Sequence, residues 1–351
     1  MSEGATIVPM SRSTVLMLFG GESSEHEVSL SSARNVYAAI DKNKYEVLLG
    51  YIDRNGHWWL LDELSDELDL SGVDKLTPEL GEGGFSVSSN DDLILPDVIL
   101  PILHGKNGED GTVQGLAGLM HIPIAGCNLK SSAIGMDKLA AKRIADEVGV
   151  RVVPYAALHA GDKAPDYEEL AAKLSPTLFV KPNEAGSSVG VSKVESGAEF
   201  ASALEEALRH GEMVLIEKAV KARELEIAVL GDYPDIQASV VGEIIPEGEF
   251  YSYESKYASG STSRVVIPAD IPTEVSQELT DWALRIYKAL GCGGLSRIDF
   301  FLDDENNLYF NEINTMPGFT NISMYPKLWQ ASGLEYPELI DRLISMRLTK
   351  E

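Results

Sequence analysis

The residue types best suited to chemistry in this chain sit near its C-terminal end, at Arg297, Asp299, Glu312 and Asn314. Alternation along a strand puts Arg297, Asp299 and Phe301 on one face, and Glu312 and Asn314 on one face of the next strand. If the two strands fold back through the loop near Glu305, Asp299 lies opposite residue 311 or 312. Opposed Cβ atoms sit ~4.5–5.5 Å apart. Two carboxylates at ~5 Å repel by roughly 3 kcal/mol at an effective dielectric of ~20. That pair needs a counter-charge: Arg297 is one candidate and a divalent metal is another. Asp, Glu and Asn offer oxygen alone, which suits Mg²⁺ or Mn²⁺ and argues against zinc.

A second feature lies upstream. Lys181 ends the apolar run 178–181, just before Gly186-Ser187-Ser188-Val189-Gly190. A glycine-rich hairpin lets backbone N–H groups approach phosphate oxygens, the hydroxyls add donors, and the lysine supplies a cation at its base. Together with a Mg²⁺ site this points to phosphoryl chemistry. The common alternatives are missing. No GxxxxGK[ST] sequence is present, and no GxGxxG follows a strand. His26-Glu27-Val28-Ser29-Leu30 lacks the second histidine of a zinc protease, and Leu295-Ser296-Arg297 lacks the glycines of a nucleophile elbow.

The elements that must position these residues are α/β in character. Residues 15–19 form an apolar run ended by Gly20-Gly21, followed by a helix whose Ser24 and Glu27 have capping-box spacing. Strands are expected at 46–52, 97–103 and 120–126, and Asp137 is placed to cap a helix running to about Val148. Residues 61–92 hold ten acids and one base (Lys75) with five glycines and prolines, which reads as a solvated excursion. Strands follow at 178–181, 189–194, 213–218, 224–230 and 236–245, with a helix near 197–210. Helix 274–290 keeps Val275, Leu279, Trp282, Ala283, Ile286, Tyr287 and Leu290 on one face and ends at Gly291. Strands 295–302 and 308–314 close the pattern, and 250–264 is a Tyr/Ser-rich loop with the composition of a lid.

Composition narrows the function. Twenty-nine Lys+Arg against 55 Asp+Glu give a formal charge of −26, which disfavours nucleic acid or an anionic membrane as partner. The two cysteines, Cys127 and Cys292, have no metal or redox spacing and read as core thiols in a reducing compartment. With no signal-peptide pattern and no apolar stretch of ~18 residues, a cytoplasmic location is expected.

The motifs, taken in order, resemble those of the D-alanine–D-alanine ligases. They are Gly20-Gly21-Glu22-Ser23-Ser24-Glu25-His26-Glu27-Val28-Ser29, His104-Gly105 through Glu109-Asp110-Gly111 with Gln114-Gly115, Met136-Asp137-Lys138, and Val180-Lys181-Pro182 with the glycine-serine loop. Glu254-Ser255-Lys256-Tyr257, Arg297-Ile298-Asp299 and Asn311 through Thr320 complete the set. The resemblance implies an α/β, three-domain ATP-grasp ligase with a Rossmann-like N-terminal domain. Its expected divisions are 1–126, a central subdomain 127–220, and a C-terminal subdomain 221–351 with a lid at 246–264. It implies ATP and two Mg²⁺ ions (Mn²⁺ also fits), two D-alanines as substrates, and a homodimer. The reaction it implies runs through a D-alanyl phosphate and a tetrahedral intermediate to D-alanyl-D-alanine for peptidoglycan.

Carried over residue by residue, the resemblance puts metal on Asp299, Glu312 and Asn314. Lys138, Lys181, Ser188, Lys256 and Asn311 fall in the ATP site. Glu217, Lys218 and Val220 belong to a hinge whose strand edge reads adenine, and Glu224 holds the ribose. Arg297 stabilises the oxyanion, Glu25 binds the first ammonium, and Ser187 and Tyr257 tie the mobile loop to Glu25. Gly318, Ser323 and Met324 surround the second substrate. His104 is either a neighbour of the first substrate or a structural loop histidine. D-Alanyl-D-lactate and D-alanyl-D-serine ligases are the alternatives. Tyr257 argues against the first and Met324 against the second.

Overall fold

The computed structural model describes residues 12–89, 93–246, 264–320 and 322–348. The chain opens with β1 (Ser13–Gly20), α1 (His26–Ala39), β2 (Tyr45–Ile52), β3 (Trp58–Leu61), β4 (Asp74–Glu79), β5 (Gly84–Val87), β6 (Leu93–Ile94), β7 (Val98–Ile102) and α2 (Thr112–Leu119). Among the described residues these strands form one sheet in the order β6-β5-β4-β3-β2-β1-β7, with β1 parallel to both β2 and β7. A central parallel strand covered on both faces is apolar without alternation, and residues 15–19 are fully buried.

Three expectations are corrected here. The acidic stretch 61–92 is not a bare excursion: it contributes β4 and β5, paired antiparallel to extend the sheet, with its charges on the solvent side. Residues 120–126 do not form a strand, because α2 runs to Leu119 and only Ile124 makes a bridge, to Ile99. The Ser24/Glu27 capping box does not form. Helix α1 starts at His26 with Glu25 as its N-cap, and the Glu27 carboxylate pairs instead with Arg54 at 2.6 Å.

Helices α3 (Leu129–Met136) and α4 (Lys138–Glu147) lead into a second sheet. Asp137 caps α4, accepting from Ala140 N at 2.8 Å. The second sheet is built from β8 (Tyr155–His159), α5 (Tyr167–Lys173), β9 (Leu178–Pro182), β10 (Ser192–Val194), α6 (Gly197–Leu208) and β11 (Met213–Lys218). Its order is β10-β9-β11-β8, antiparallel throughout. The strand expected at 189–194 is shorter, because residues 183–191 remain loop.

The third sheet comprises β12 (Ala222–Leu230), β13 (Gln237–Ile245), β14 (Arg264–Val266), α7 (Thr273–Leu290), β15 (Leu295–Asp303) and β16 (Leu308–Asn314), ordered β14-β13-β12-β15-β16 and antiparallel. The seven residues of the apolar face of α7 named above are all buried, and Gly291 ends it in the left-handed region at φ 70°. They pack with Phe300, Phe310 and Ala141 in one core, so truncating Ile286 to Ala would cost roughly 2–5 kcal/mol. That core covers one face of the third sheet and leaves the other for chemistry.

Helix α8 (Met324–Ala331) packs on β12 and β13 of the third sheet, and α9 (Tyr336–Leu348) packs on β7 and α1 of the first. A single apolar cluster joins Leu100 and Ile102 of β7 to Phe319, Ile340 and Leu343. Arg347 adds polar ties: it donates to Ile124 O and Gly126 O at 2.8 Å each and pairs with Asp232. Gly294 completes the joint. A Cβ there would lie 2.7 Å from Gly126 Cα, so only glycine permits this approach. Among the described residues no helix is long and apolar enough to cross a membrane.

Candidate active site

The chemistry-bearing residues meet on the open face of the third sheet. Strand register sets Asp299 directly opposite Glu312 and Arg297 opposite Asn314. A β-bulge follows, because Phe300 pairs with Phe310 and leaves Asn311 as the extra residue. The Asn311 Oδ1 is buried and has no hydrogen-bond partner among the described residues.

On the other side of β15, Glu226 of β12 lies opposite Asp299. Three carboxylates therefore stand in a row across three strands, and Arg297 neutralises two of them. Its guanidinium donates to Asp299 at 2.8 and 2.7 Å, and its Nε lies 2.9 Å from Glu226 Oε2. Although burial opposes the charge, Asp299 and Glu226 hold the Arg297 pKa well above its usual range. Asn314 donates to Asp299 at 3.1 Å, and Lys138 Nζ lies 3.6 Å from Glu312.

The glycine-serine loop comes in from the second sheet. Ser187 and Ser188 both adopt positive φ, 52° and 60°, an uncommon conformation for residues with a Cβ. The Ser187 hydroxyl donates to the Glu25 carboxylate. Glu25 is the N-cap of α1, where the helix dipole favours a negative charge. Lys138, the first residue of α4, reaches back to Ala185 O at 2.7 Å and so braces the same loop.

Lys181 is ion-paired within the protein. Its Nζ lies 2.8 Å from Glu217, whose other oxygen is 2.8 Å from Lys142 Nζ. Lys142 is fully buried. Burial raises the Glu217 pKa, but the two ammonium groups outweigh it and the net shift is downward. The strand that carries Glu217 and Lys218 has neighbours on both sides. Strand β11 lies between β9 and β8, Lys218 N donates to Pro154 O, and Ala219 N donates to Thr177 O.

His104 is buried, and both ring nitrogens are used within the protein. Nδ1 lies 3.1 Å from Met316 O, a group that only accepts, so Nδ1 carries the proton. Nε2 then accepts from Ser32 at 3.0 Å. Burial lowers its pKa and keeps it neutral. Glu109, 3.9 Å from His104, is pushed well above the carboxylate range by burial and by Glu25. Ser323 sits before α8, its hydroxyl accepting from Thr320 N at 3.0 Å.

A cavity of about 780 Å³ opens among these groups. Glu25, His104, Lys138, Ser187, Glu224, Arg297, Asp299, Asn311, Glu312, Asn314, Gly318, Ser323 and Met324 line it. Lys181, Ser188, Glu217, Lys218 and Val220 stand outside that lining. Lys256 and Tyr257, with most of the expected lid, lie outside the described residues. Among the described residues no three His, Cys, Asp or Glu side chains cluster as a metal site, and the expected set contains only two carboxylates and an amide. Glu226, Glu109 and Lys142 had no role in the motif reading. Only the alternation of Glu224 and Glu226 on one strand face hinted at the first.

Two family models match this chain, D-ala D-ala ligase N-terminus over residues 14–127 and D-ala D-ala ligase C-terminus over 144–345. The chain belongs to the D-alanine–D-alanine ligase family. It is 46% identical over 344 residues to the D-alanine–D-alanine ligase of Sodalis glossinidius (strain morsitans), covering 94% of this chain and 93% of the relative. It is 43% identical to that of Shouchella clausii (strain KSM-K16), covering 97% and 96%. Among solved structures it resembles the Coxiella burnetii D-alanine–D-alanine ligase, with TM-score 0.87, 34% identity, and 96% and 94% coverage. It is as similar to the VanG D-Ala:D-Ser ligase of Enterococcus faecalis, with TM-score 0.87, 34% identity, and 96% and 100% coverage. The expected fold is thus met: a multi-domain α/β ligase with the ATP-grasp arrangement. A family of this kind uses ATP.

Proposed function

We propose that this protein joins two D-alanines into D-alanyl-D-alanine at the expense of ATP, supplying a peptidoglycan precursor. The observation that carries this reading is the convergence of Arg297, Asp299, Glu312 and Asn314 on one cavity with Glu25 and its Ser187 partner. The first D-alanine carboxylate attacks the γ-phosphorus of ATP, giving D-alanyl phosphate and ADP. The amine of the second D-alanine attacks the acyl carbon, and the tetrahedral intermediate expels phosphate.

Glu25 holds the first ammonium. Arg297, always charged and aimed by two carboxylates, stabilises the oxyanion. Ser187 ties the glycine-serine loop over the reacting atoms, limiting water that would hydrolyse the acyl phosphate. Lys138 and Lys181 offset phosphate charge, with Ser188 and Asn311 in the same ATP site, and Glu224 holds the ribose. Glu217, Lys218 and Val220 border the base. The oxygen-only set Asp299, Glu312 and Asn314 fits Mg²⁺ or Mn²⁺. Bound there, the ions would neutralise phosphate oxygens. Gly318, Ser323 and Met324 receive the second D-alanine, with the Ser323 hydroxyl at its carboxylate. The divisions near 126 and 220, the cytoplasmic location and a homodimer belong to the same reading.

The test is phosphate release from ATP and Mg²⁺ with D-alanine, L-alanine, D-alanine plus D-serine, or D-alanine plus D-lactate, with product masses recorded. Release with D-alanine alone and a dipeptide mass is expected. Release only with D-serine or D-lactate present would move the chain to the alternative ligases. No release in any mixture, with ATP bound, would overturn the catalytic reading.

A further inference from the structure

Glu226 is 7% exposed on the cavity face of the third sheet, and the expected roles leave it unused. Its neighbour across β13 is Gly242, which presents no side chain. A Cβ there would meet Leu328 Cδ2 at 2.8 Å, so glycine lets α8 close that side. On its other side Glu226 meets Arg297, with Nε 2.9 Å from Oε2. Arg297 is at the same time held by both oxygens of Asp299. One guanidinium is thus shared by two carboxylates, and only one of the two belongs to the expected metal set.

That sharing has a consequence when a cation takes Asp299. The Asp299 oxygens cannot serve the guanidinium and the cation fully at once. Without a second carboxylate, Arg297 would either compete for Asp299 or stand as a buried charge with no counter-ion, and both oppose metal binding. We propose that Glu226 is a positioning residue: it retains the Arg297 guanidinium over the cavity as Asp299 passes from arginine to the metal. This rests on the metal-assisted ligase reading above. In this arrangement Arg297 and the cation are not rivals, and the guanidinium is already in place when oxyanion charge develops.

The experiment is a double-mutant cycle on binding, with no turnover. Mn²⁺ is titrated into protein with ADP, free Mn²⁺ is read by its electron paramagnetic resonance signal, and thermal melts check folding. Glu226→Gln is expected to weaken Mn²⁺·ADP binding by about tenfold where Arg297 is present, and by less than about twofold in an Arg297→Met background. Glu226→Asp, which keeps the charge, is expected to recover most of the loss. An equal effect in both backgrounds would show that Glu226 is only a nearby negative charge and would overturn the proposal. So would unchanged affinity in folded Glu226→Gln. Failure of the ligase reading itself looks different: the unsubstituted protein would bind no Mn²⁺·ADP.

Discussion

The buried Lys142–Glu217–Lys181 triad makes a sharp stability prediction through Glu217→Gln, which keeps the shape and removes the charge. Each ammonium lies 2.8 Å from a Glu217 oxygen. With charge centres ~4 Å apart and an effective dielectric of ~20, each attraction is roughly 4 kcal/mol. Two ammonium groups on the two oxygens of one carboxylate, taken as ~5.5 Å apart, repel by roughly 3 kcal/mol. The substitution abolishes both attractions and leaves the repulsion. Relaxation of Lys181 and proton loss reduce the gross figure to the ~3–5 kcal/mol typical of breaking a buried pair.

At about 2.1 cal/mol/K of unfolding entropy per residue, 351 residues give roughly 1.4 °C per kcal/mol, so the melting temperature should fall by roughly 4–7 °C, read by calorimetry or circular dichroism. Burial already lowers the Lys142 pKa, and without Glu217 it falls further. A lysine with a depressed folded pKa costs stability as pH falls through that value, so the deficit should shrink as pH rises. Lys142→Met is the contrast. It loses one attraction of roughly 4 kcal/mol but relieves the roughly 3 kcal/mol repulsion and the burial of an ammonium, for a net change within about 1–2 kcal/mol. A Glu217→Gln protein as stable as its parent, or one less damaged than Lys142→Met, would refute the charge argument.

Two further outcomes follow from the same site. Glu109 has a raised pKa, from burial first and Glu25 second, so its contribution to stability is complete below the unfolded value of 4.5 and is lost as pH rises through the folded value. Melts of Glu109→Gln against the parent from about pH 5 to about pH 9 should therefore diverge in favour of the variant as pH rises, and a pH-independent difference would contradict the shift. Gly318→Ala would put a Cβ 2.9 Å from the Ser323 hydroxyl. Displacing that hydroxyl should raise KM for D-alanine roughly tenfold, the equivalent of about 1–2 kcal/mol of local overpacking, with little change in melting temperature; an unchanged KM would remove Ser323 from the second-substrate site.

Local signals accounted for much of the architecture. The periodicity of α7, the Asp137 cap and the glycine ending at Gly291 each stand where the residues require them. The apolar run 15–19 with its glycine turn marked the opening of an α/β unit, which β1 and α1 form. The capping spacing at Ser24 and Glu27 failed because Glu25 is drawn to Ser187, a residue far away in the chain, and to the start of α1. That β11 is flanked on both sides, by β9 and β8, could not be read at Glu217, because sequence does not say which strands flank a given strand.

The reactive hairpin divides the same way. Residue types and alternation alone make Arg297 and Asp299 share one face, and Glu312 and Asn314 another. Whether those two faces coincide depends on register, and a slip of one residue turns every side chain of a strand to the opposite face. Regular pairing outward from Phe300 and Phe310 would set Asp299 against Asn311 and send Glu312 and Asn314 to the buried side. The bulge at Asn311 adds the residue that sets Asp299 against Glu312. It also takes the neighbouring strand, through Glu226, to complete the row of carboxylates around Arg297. Alternation is a property of one strand and can be read along it. Register and flanking order are properties of pairs of strands, settled only when the cores beneath them pack.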